Sequence, residues 1–189
     1  MNKVFFFQIR RIDDMTNYKI IRDKSGEQAA ALASLYNGIL VKLQDPEFDS
    51  LQINENGDWI DLKISEDVEM KAGEVKLIKL GVSMKLPAGY EAIIAPRSST
   101  CLKTGIMQAN SIAIIDNSYC GNDDIWRFCA YAIRDTKVSK GDRLCQFRIL
   151  PSMDHLHTVK HLDNNPLYIV YTNDLMTDTN RGGFGTSGK

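Results

Sequence analysis

The feature that most constrains the fold is a two-residue alternation of apolar side chains that begins after Gly38. Many of these apolar residues are β-branched or aromatic, and they recur in short segments separated by Gly, Pro, Asn and Asp. Such turn residues connect strands directly, without helices between them. We therefore predict an all-β chain, an antiparallel jelly-roll-like β-sandwich or barrel. The strand-like segments are ILVKLQ, DWIDLKI, EVKLIKLGVSMKL, YEAIIAP, NSIAIID, RFCAYAIRD and RLCQFRIL.

The two ends of the chain differ from this pattern. VFFFQIRR predicts a strand, and SGEQAAALASLYNG predicts a helix with Ser25 as N-cap, Gln28 as capping-box partner and Gly38 as the stop. Residues 162–180 are polar apart from the strand-like LYIVY, which is typical of a flexible arm. We expect a short strand-helix appendage, a β core and a C-terminal arm with a glycine-rich tail, over residues 1–37, 38–161 and 162–189.

The composition argues against several classes of partner. A formal net charge of -1 provides no basic field for bulk binding of nucleic acid. No apolar run approaches the roughly 20 residues of a membrane helix, and the start lacks a secretory signal pattern, so we expect a cytoplasmic protein without membrane contact. The four cysteines lack CxxC spacing, which favours reduced, mostly buried thiols over a zinc site.

Two segments carry groups that suit a phosphorylated ligand. NSIAIIDNSYCGND places Asp116 at a strand end and Tyr119 three residues later, where they could hold a water and one face of a sugar or base. In APRSST, the cation of Arg97 and the hydroxyls of Ser98 and Ser99 suit phosphate oxygens. Each segment taken alone also fits an ordinary turn, in which Asp116 closes an Asx-turn and Arg97 lies in solvent.

Three further segments are less specific when each is taken alone. KGDRLCQFRIL places Gln146 on a strand after a turn whose acidic and basic side chains would also suit an ion pair. In GDWIDLKI, Asp61 lies among apolar residues, where a carboxylate needs a metal ion or an arginine as partner. The tail RGGFGTSGK combines Arg181 and Phe184 with glycines that allow unusual backbone dihedrals, and it would otherwise be a disordered terminus.

The order of these five segments resembles the five ordered motifs of the trimeric dUTPase family. The resemblance covers residues from about 39 to 189, and its most specific elements are ID-x-x-Y-x-G and the RGGFGTSG tail. It implies a jelly roll and the hydrolysis of dUTP to dUMP and pyrophosphate with Mg²⁺. It also implies a homotrimer whose active sites are shared between neighbouring chains. The turn CGNDDIW after Tyr119 is longer than the family pattern.

The resemblance also implies roles for residues around the nucleoside. Asp116 matches the aspartate that orients the attacking water, and Tyr119 the tyrosine that lies against the deoxyribose. Asn110, six residues before Asp116, matches an asparagine that reads the uracil edge. Phe184 matches the aromatic residue that stacks over the uracil ring when the tail closes as a lid.

A second set of residues matches the family's contacts to the phosphate chain and the metal. Asp61 matches the first-motif aspartate, which holds the metal ion through a water, and Arg181 matches the arginine that meets the terminal phosphate. A triphosphate carries about four charges, so arginines and Mg²⁺ are both needed to hold it. The phosphate-side residues are Arg97, Ser98, Ser99, Gln146 and Arg181.

Two other functions remain open from the sequence. A dCTP deaminase of the related family has a similar R-S-S segment, but its chemistry needs a glutamate near the pyrimidine, and the strand WRFCAYA contains none. A regulatory or interaction protein on the same scaffold would bind partners independently of catalysis, for example through residues 1–37.

Overall fold

The computed structural model of the protein describes residues 12–15, 18–48, 51–53, 58–153, 167–177 and 180–182. Fifteen strands and two helices lie within these ranges. The segment VFFFQIRR and the tail beyond Gly182, with Phe184, lie outside the described residues, so the expectations for them stay predictions.

Nine of the fifteen strands fall in the strand-like segments predicted from the sequence, whereas the six others and the second helix lie outside them. The strands are β1 (Ile12–Met15), β2 (Tyr18–Lys24), β3 (Ile39–Leu43), β4 (Gln52–Ile53), β5 (Ile60–Lys63), β6 (Val68–Met70), β7 (Val75–Lys79), β8 (Val82–Lys85), β9 (Tyr90–Pro96), β10 (Ile106–Gln108), β11 (Ala113–Ile115), β12 (Arg127–Ala132), β13 (Thr136–Val138), β14 (Arg143–Pro151) and β15 (Leu167–Thr172). The helices are α1 (Gly26–Tyr36) and α2 (Thr100–Thr104).

One predicted segment, EVKLIKLGVSMKL, divides into two strands that lie in different sheets. Gly81 stands between β7 and β8 with φ +66, a conformation that side chains with a Cβ rarely adopt. A Cβ added there would also lie 2.8 Å from the Phe48 ring. The chain therefore turns at Gly81, so that β7 pairs with β12 whereas β8 pairs with β3.

The strands form four sheets, in the orders β1-β2-β15-β3-β8, β10-β12-β7, β11-β9-β14-β5-β4 and β13-β6. One hydrophobic core joins residues from these sheets. At its centre Trp126 and Phe147 meet edge to face with ring centroids 5.2 Å apart, and neither is exposed. Each fully buried side chain of this kind contributes about 1.5–3 kcal/mol of transfer free energy, so the sandwich is held mainly by this core.

The N-terminal residues and the C-terminal arm meet in one sheet. β15 pairs in parallel with both β2 and β3, an exception to the otherwise antiparallel pairing. Helix α1 begins at its predicted N-cap, Ser25, whose side chain accepts the N–H of Gln28. It ends one residue earlier than predicted, because Asn37 adopts the left-handed conformation and the N–H of Gly38 bonds to Ala33.

A second, smaller core lies under α1. It joins α1 to the arm through six buried residues: Ala29, Leu32, Ala33, Leu40, Val170 and Leu175. Outside it, the rings of Tyr36 and Tyr168 stack with centroids 4.3 Å apart. The described part of the appendage therefore packs directly against the arm.

Among the described residues, no helix combines the length and hydropathy that a membrane span requires.

All four cysteines are free, but only Cys145 is fully buried, and burial raises the pKa of its thiol. The other three are partly exposed, so the expectation of mostly buried thiols holds for Cys145 alone.

Candidate active site

The first half of the site is an ion-pair cluster at the end of β9. Asp61 on β5 is only 8% exposed, and its two oxygens face two arginines. Its Oδ1 lies 2.9 Å from Nε of Arg97, and its Oδ2 lies 3.1 Å from a terminal nitrogen of Arg143. Arginine, one of the two partners that the sequence left open, therefore pairs with this carboxylate. A buried carboxylate with two guanidinium partners fixes the position of both cations.

Strand pairing explains why these motifs meet. β14 lies between β5 and β9. In the strand register, Gln146 pairs with Asp61 on one side and with Ala95 on the other. Arg97 follows the last residue of β9, and its N–H bonds to the carbonyl of Leu144 at 3.1 Å. Three segments that are distant in sequence therefore place a carboxylate, two guanidiniums and an amide side by side.

A cavity of about 470 Å³ opens beside this cluster. Cations and hydroxyls line it: Lys103 and the two arginines supply the cations, and Ser99 supplies a hydroxyl. Oxygen-rich anions such as phosphates suit this lining. Ser98 is exposed and is not among the lining residues. The full lining is Arg97, Ser99, Thr100, Lys103, Thr104, Gly141, Asp142, Arg143 and Leu144.

Sequence reasoning missed the contribution of α2 to this cavity. Helix α2 directly follows Ser99 and supplies Thr100, Lys103 and Thr104 to the lining. The hydroxyl of Thr100 donates to the carbonyl of Leu144 at 2.6 Å and so ties α2 to β14. The available signal was the TCLKT run after APRSS, which is too short to stand out as a helix.

The second half of the site is the carboxylate of Asp116, which follows β11. Its Oδ1 accepts hydrogen bonds from the N–H and the hydroxyl of Ser118, which is the Asx-turn expected from the sequence. Its Oδ2 lies 2.6 Å from a terminal nitrogen of Arg181, and 47% of the side chain is exposed. One oxygen therefore serves the turn, while the other pairs with Arg181 and can accept a further hydrogen bond from a ligand or a water.

The surroundings of Asp116 keep it ionised. Burial raises the pKa of this carboxyl, but the hydrogen bonds from Ser118 and the positive charge of Arg181 outweigh burial and lower the pKa on balance. An ionised carboxylate at neutral pH can accept a proton from a bound water. Asp116 therefore has the protonation state and the exposure that a general base needs.

The two other nucleoside-side candidates lie on either side of β11. Asn110 is exposed in the turn between β10 and β11. Tyr119 is 8% exposed, and its hydroxyl donates to the carbonyl of Ile125 at 3.0 Å. Burial raises the pKa of the Tyr119 phenol, so it stays a neutral, fixed side chain.

A second missed feature is a contact between the turn 121–124 and the start of the tail. The carboxylate of Asp124 accepts hydrogen bonds from the N–H groups of Gly121, Arg181 and Gly182. Asp123 and Asn180 exchange two hydrogen bonds, both at 2.8 Å. The sequence signal was the unusual length of CGNDDIW, but nothing in the sequence showed what this turn contacts.

The two halves of the site lie at opposite ends of the same strand pair. Ile115, next to Asp116, pairs with Ala92, whereas Arg97 lies beyond Pro96 at the other end of β9. At about 3.4 Å per residue of a strand, the Asp116 carboxylate and the cavity beside Arg97 are roughly 20 Å apart within one chain. A reacting water must lie about 3–3.5 Å from its target, so one chain does not bring the two halves onto the same phosphorus.

The fold and the two halves together define a class of protein. A β-sandwich with a cation-lined cavity and a separate, exposed and ionised carboxylate suits an enzyme that acts on a phosphorylated ligand. The sequence model of the dUTPase family matches residues 55–170. The chain belongs to the dUTPase family.

One relative supports this assignment, and two solved structures share the fold. The SPbeta prophage-derived deoxyuridine 5'-triphosphate nucleotidohydrolase YosS of Bacillus subtilis (strain 168) is 45% identical over 150 residues, covering 79% of this chain and 97% of that protein. The dUTPase of Streptococcus mutans superimposes with a TM-score of 0.54 at 22% identity, over 60% of this chain and 95% of that one.

A third comparison is with a point mutant of the dUTPase from phage phi11 of S. aureus, described with the coordination of a structural Mg(II) ion. It superimposes with a TM-score of 0.55 at 18% identity, over 67% of this chain and 95% of that one. The likeness to both solved structures concerns the fold, and it confirms the jelly-roll β architecture predicted from the alternation.

Proposed function

We propose that the protein hydrolyses dUTP to dUMP and pyrophosphate by attack of an Asp116-activated water on the α-phosphorus. The observation that carries this proposal is the Asp116 carboxylate, which is half exposed, ionised and has one oxygen outside the Asx-turn. The Asp116 carboxylate orients the water and takes up its proton as the new P–O bond forms. The bond to the bridging oxygen breaks, and pyrophosphate leaves.

The nucleoside is recognised on the β11 side. Asn110 bonds the uracil edge, and its exposure leaves the side-chain amide available. The rigid ring of Tyr119 lies against the deoxyribose and leaves no room for a 2'-hydroxyl. A base with the wrong donors and acceptors would leave buried polar groups unpaired, which gives strong discrimination. Phe184 stacks over the uracil when the tail closes.

The phosphates occupy the cavity beside Asp61. Arg97 and Arg143, both fixed by Asp61, bind the phosphate oxygens together with Ser99. Ser98 and Gln146 add further contacts to the phosphates. Ser98 is exposed, and Gln146 pairs in register with Asp61.

Mg²⁺ accompanies the phosphates in this proposal. The donor set of the chain fits a metal held mainly by the substrate, because the described residues contain no cluster of three or more His, Cys, Asp or Glu side chains. Asp61 is already paired with two arginines, so it fits only a water-mediated contact, and a carboxylate oxygen can accept more than one hydrogen bond. When bound, Mg²⁺ neutralises phosphate charge and stabilises the leaving pyrophosphate.

The working site is built from neighbouring copies in a homotrimer. The separation of Asp116 from the Arg97 cavity within one chain supports this proposal, since a second copy would supply the missing half. An apolar surface is available for the contact. On adjacent strands β10, β12 and β7, side chains between 37% and 57% exposed lie side by side: Met107, Tyr131, Val75 and Leu77.

A pyrophosphate-release assay tests the proposed function. The wild-type protein should act on dUTP far better than on dCTP, dTTP or UTP, and EDTA should abolish turnover. Asp116→Asn should lower kcat about 10²–10⁴-fold, the range for loss of a general base, while the affinity for a non-hydrolysable dUTP analogue stays similar. Full turnover in Asp116→Asn, or release of ammonia from dCTP, would contradict the proposal.

A further inference from the structure

We propose that Asp124 is a positioning residue that anchors the main chain of Arg181 and Gly182, so that Arg181 changes partners during the reaction cycle by rotation of its side chain. Its effect on turnover rests on the proposed function, whereas its effect on the tail does not. Asp124 lies outside both halves of the site and touches neither Asp116 nor the phosphate cavity in the described contacts.

The hydrogen bonds of Asp124 carry the inference. Its side chain is 2% exposed, and Oδ2 accepts the N–H groups of Gly121 and Arg181, each at 2.8 Å. Oδ1 accepts the N–H of Gly182 at 2.9 Å. A buried carboxylate is costly unless it is well hydrogen-bonded, and two of these three donors belong to the tail. A turn residue with a purely local role would need only the bond to Gly121.

The turn is shaped to receive the tail closely. A Cβ on Gly121 would clash with Oδ1 of Asn180 and lie 2.5 Å from its Cα, so that only glycine permits this approach. Upstream, the Asn122 side chain donates to Asp174 at 2.8 Å and accepts the N–H of Leu175 at 3.0 Å. The turn 121–124 therefore holds the arm at two successive points before the tail leaves it.

Anchoring of the main chain leaves the Arg181 side chain free to change partners. Asp124 holds the N–H groups of Arg181 and Gly182, whereas the Arg181 side chain is 39% exposed and its guanidinium pairs with Asp116. In the proposed reaction the terminal phosphate competes for the same guanidinium. Arg181 then releases Asp116 and binds phosphate by side-chain rotation, which costs less ordering than closure of an unanchored tail.

The first test measures the anchor without reference to catalysis. Trypsin cleaves after arginine, and the Arg181–Gly182 bond is held on both sides by Asp124. In Asp124→Asn, limited trypsin digestion of the full-length protein should release residues 182–189 about tenfold faster or more, as followed by mass spectrometry. Asp135→Asn is the matched control, because its carboxylate also accepts a backbone N–H, from Ala72, at a distant turn. Equal cleavage rates in the two variants would overturn the inference.

The second test separates positioning from general stability. Asp124→Asn should lower kcat/KM for dUTP about tenfold, equivalent to about 1.4 kcal/mol, with little change in the assembly state. Combined with Arg181→Ala, Asp124→Asn should cause no further loss, because it acts through Arg181. An additive loss in the double variant would assign Asp124 a structural role and refute the proposal. If faster tail cleavage appeared in a protein without dUTP hydrolysis, the anchor would stand and the proposed function would fall.

Discussion

At the residue scale, the electrostatics of Asp116 depend on Arg181, which the proposed function also assigns to the terminal phosphate. Arg181 and Ser118 together hold the pKa of the Asp116 carboxyl below its usual value, against the opposing effect of burial. This keeps the base ionised before substrate arrives. It also means that a change at Arg181 should alter the pH dependence as well as the affinity.

We predict that Arg181→Ala shifts the acid limb of the kcat/KM profile to higher pH. Loss of the guanidinium removes an influence that lowers the pKa of Asp116, so this pKa rises and the base becomes protonated earlier as pH falls. The profile should be measured by pyrophosphate release with dUTP. A uniform loss of kcat/KM with an unmoved acid limb would show that Arg181 does not influence Asp116.

A second residue-scale prediction concerns Asp61. Asp61→Asn leaves Arg97 and Arg143 facing each other without a carboxylate, so it should lower the unfolding free energy by about 1–3 kcal/mol and raise KM for dUTP. Urea unfolding and steady-state kinetics measure the two effects. The control is Asp135→Asn at the exposed Lys71–Asp135 pair, which should cost less than about 1 kcal/mol. Comparable losses in both variants would contradict the role given to the Asp61 cluster.

At the element scale, local patterns predicted most strands, but not their partners. Period-two alternation located β9, β12 and β14, because each has one face in the core. The break at Gly81 and the parallel pairing of β15 depend on contacts with Phe48 and with β2 and β3, which are distant in sequence. Alternation alone carries no information about such pairings.

The same limit applies to the site. The five motifs placed Asp61, Arg97 and Asp116 in the correct local settings, since each motif carries its own turn or strand end. The contributions of Lys103 and Asp124 came only from the structure. Lys103 reaches the cavity through α2, and Asp124 binds residues 57 and 58 positions away in the chain.

Helix α1 should stabilise the C-terminal arm. Leu32 is 2% exposed in the small core with Val170 and Leu175, so Leu32→Ala should cost about 2–5 kcal/mol and increase hydrogen exchange in β15. Leu35→Ala, on the same helix but 70% exposed, is the control and should change little. Unchanged exchange in β15 after Leu32→Ala would show that the arm does not depend on α1.

At the scale of the whole molecule, the proposed function divides each site between copies, because one chain holds Asp116 and the Arg97 cavity far apart. The distance between Asp116 and the Arg97 cavity follows from the register of β9 with β11, which local side-chain movement does not alter. Assembly is therefore part of the catalytic mechanism in this account. In the proposed trimer, the exposed apolar side chains of β7, β10 and β12 would form part of the contact between copies.

Subunit complementation between Asp116→Asn and Arg97→Ala tests most directly whether two copies share one site. Each variant alone should be nearly inactive in pyrophosphate release from dUTP. When the two are unfolded together and refolded as mixed trimers, random assembly should give about a quarter of the sites one intact Asp116 and one intact Arg97 from different chains. Recovery of activity on that order is the expected result. Mixed trimers that stay as inactive as the separate variants would contradict the claim that Asp116 of one copy acts with the Arg97 cavity of another.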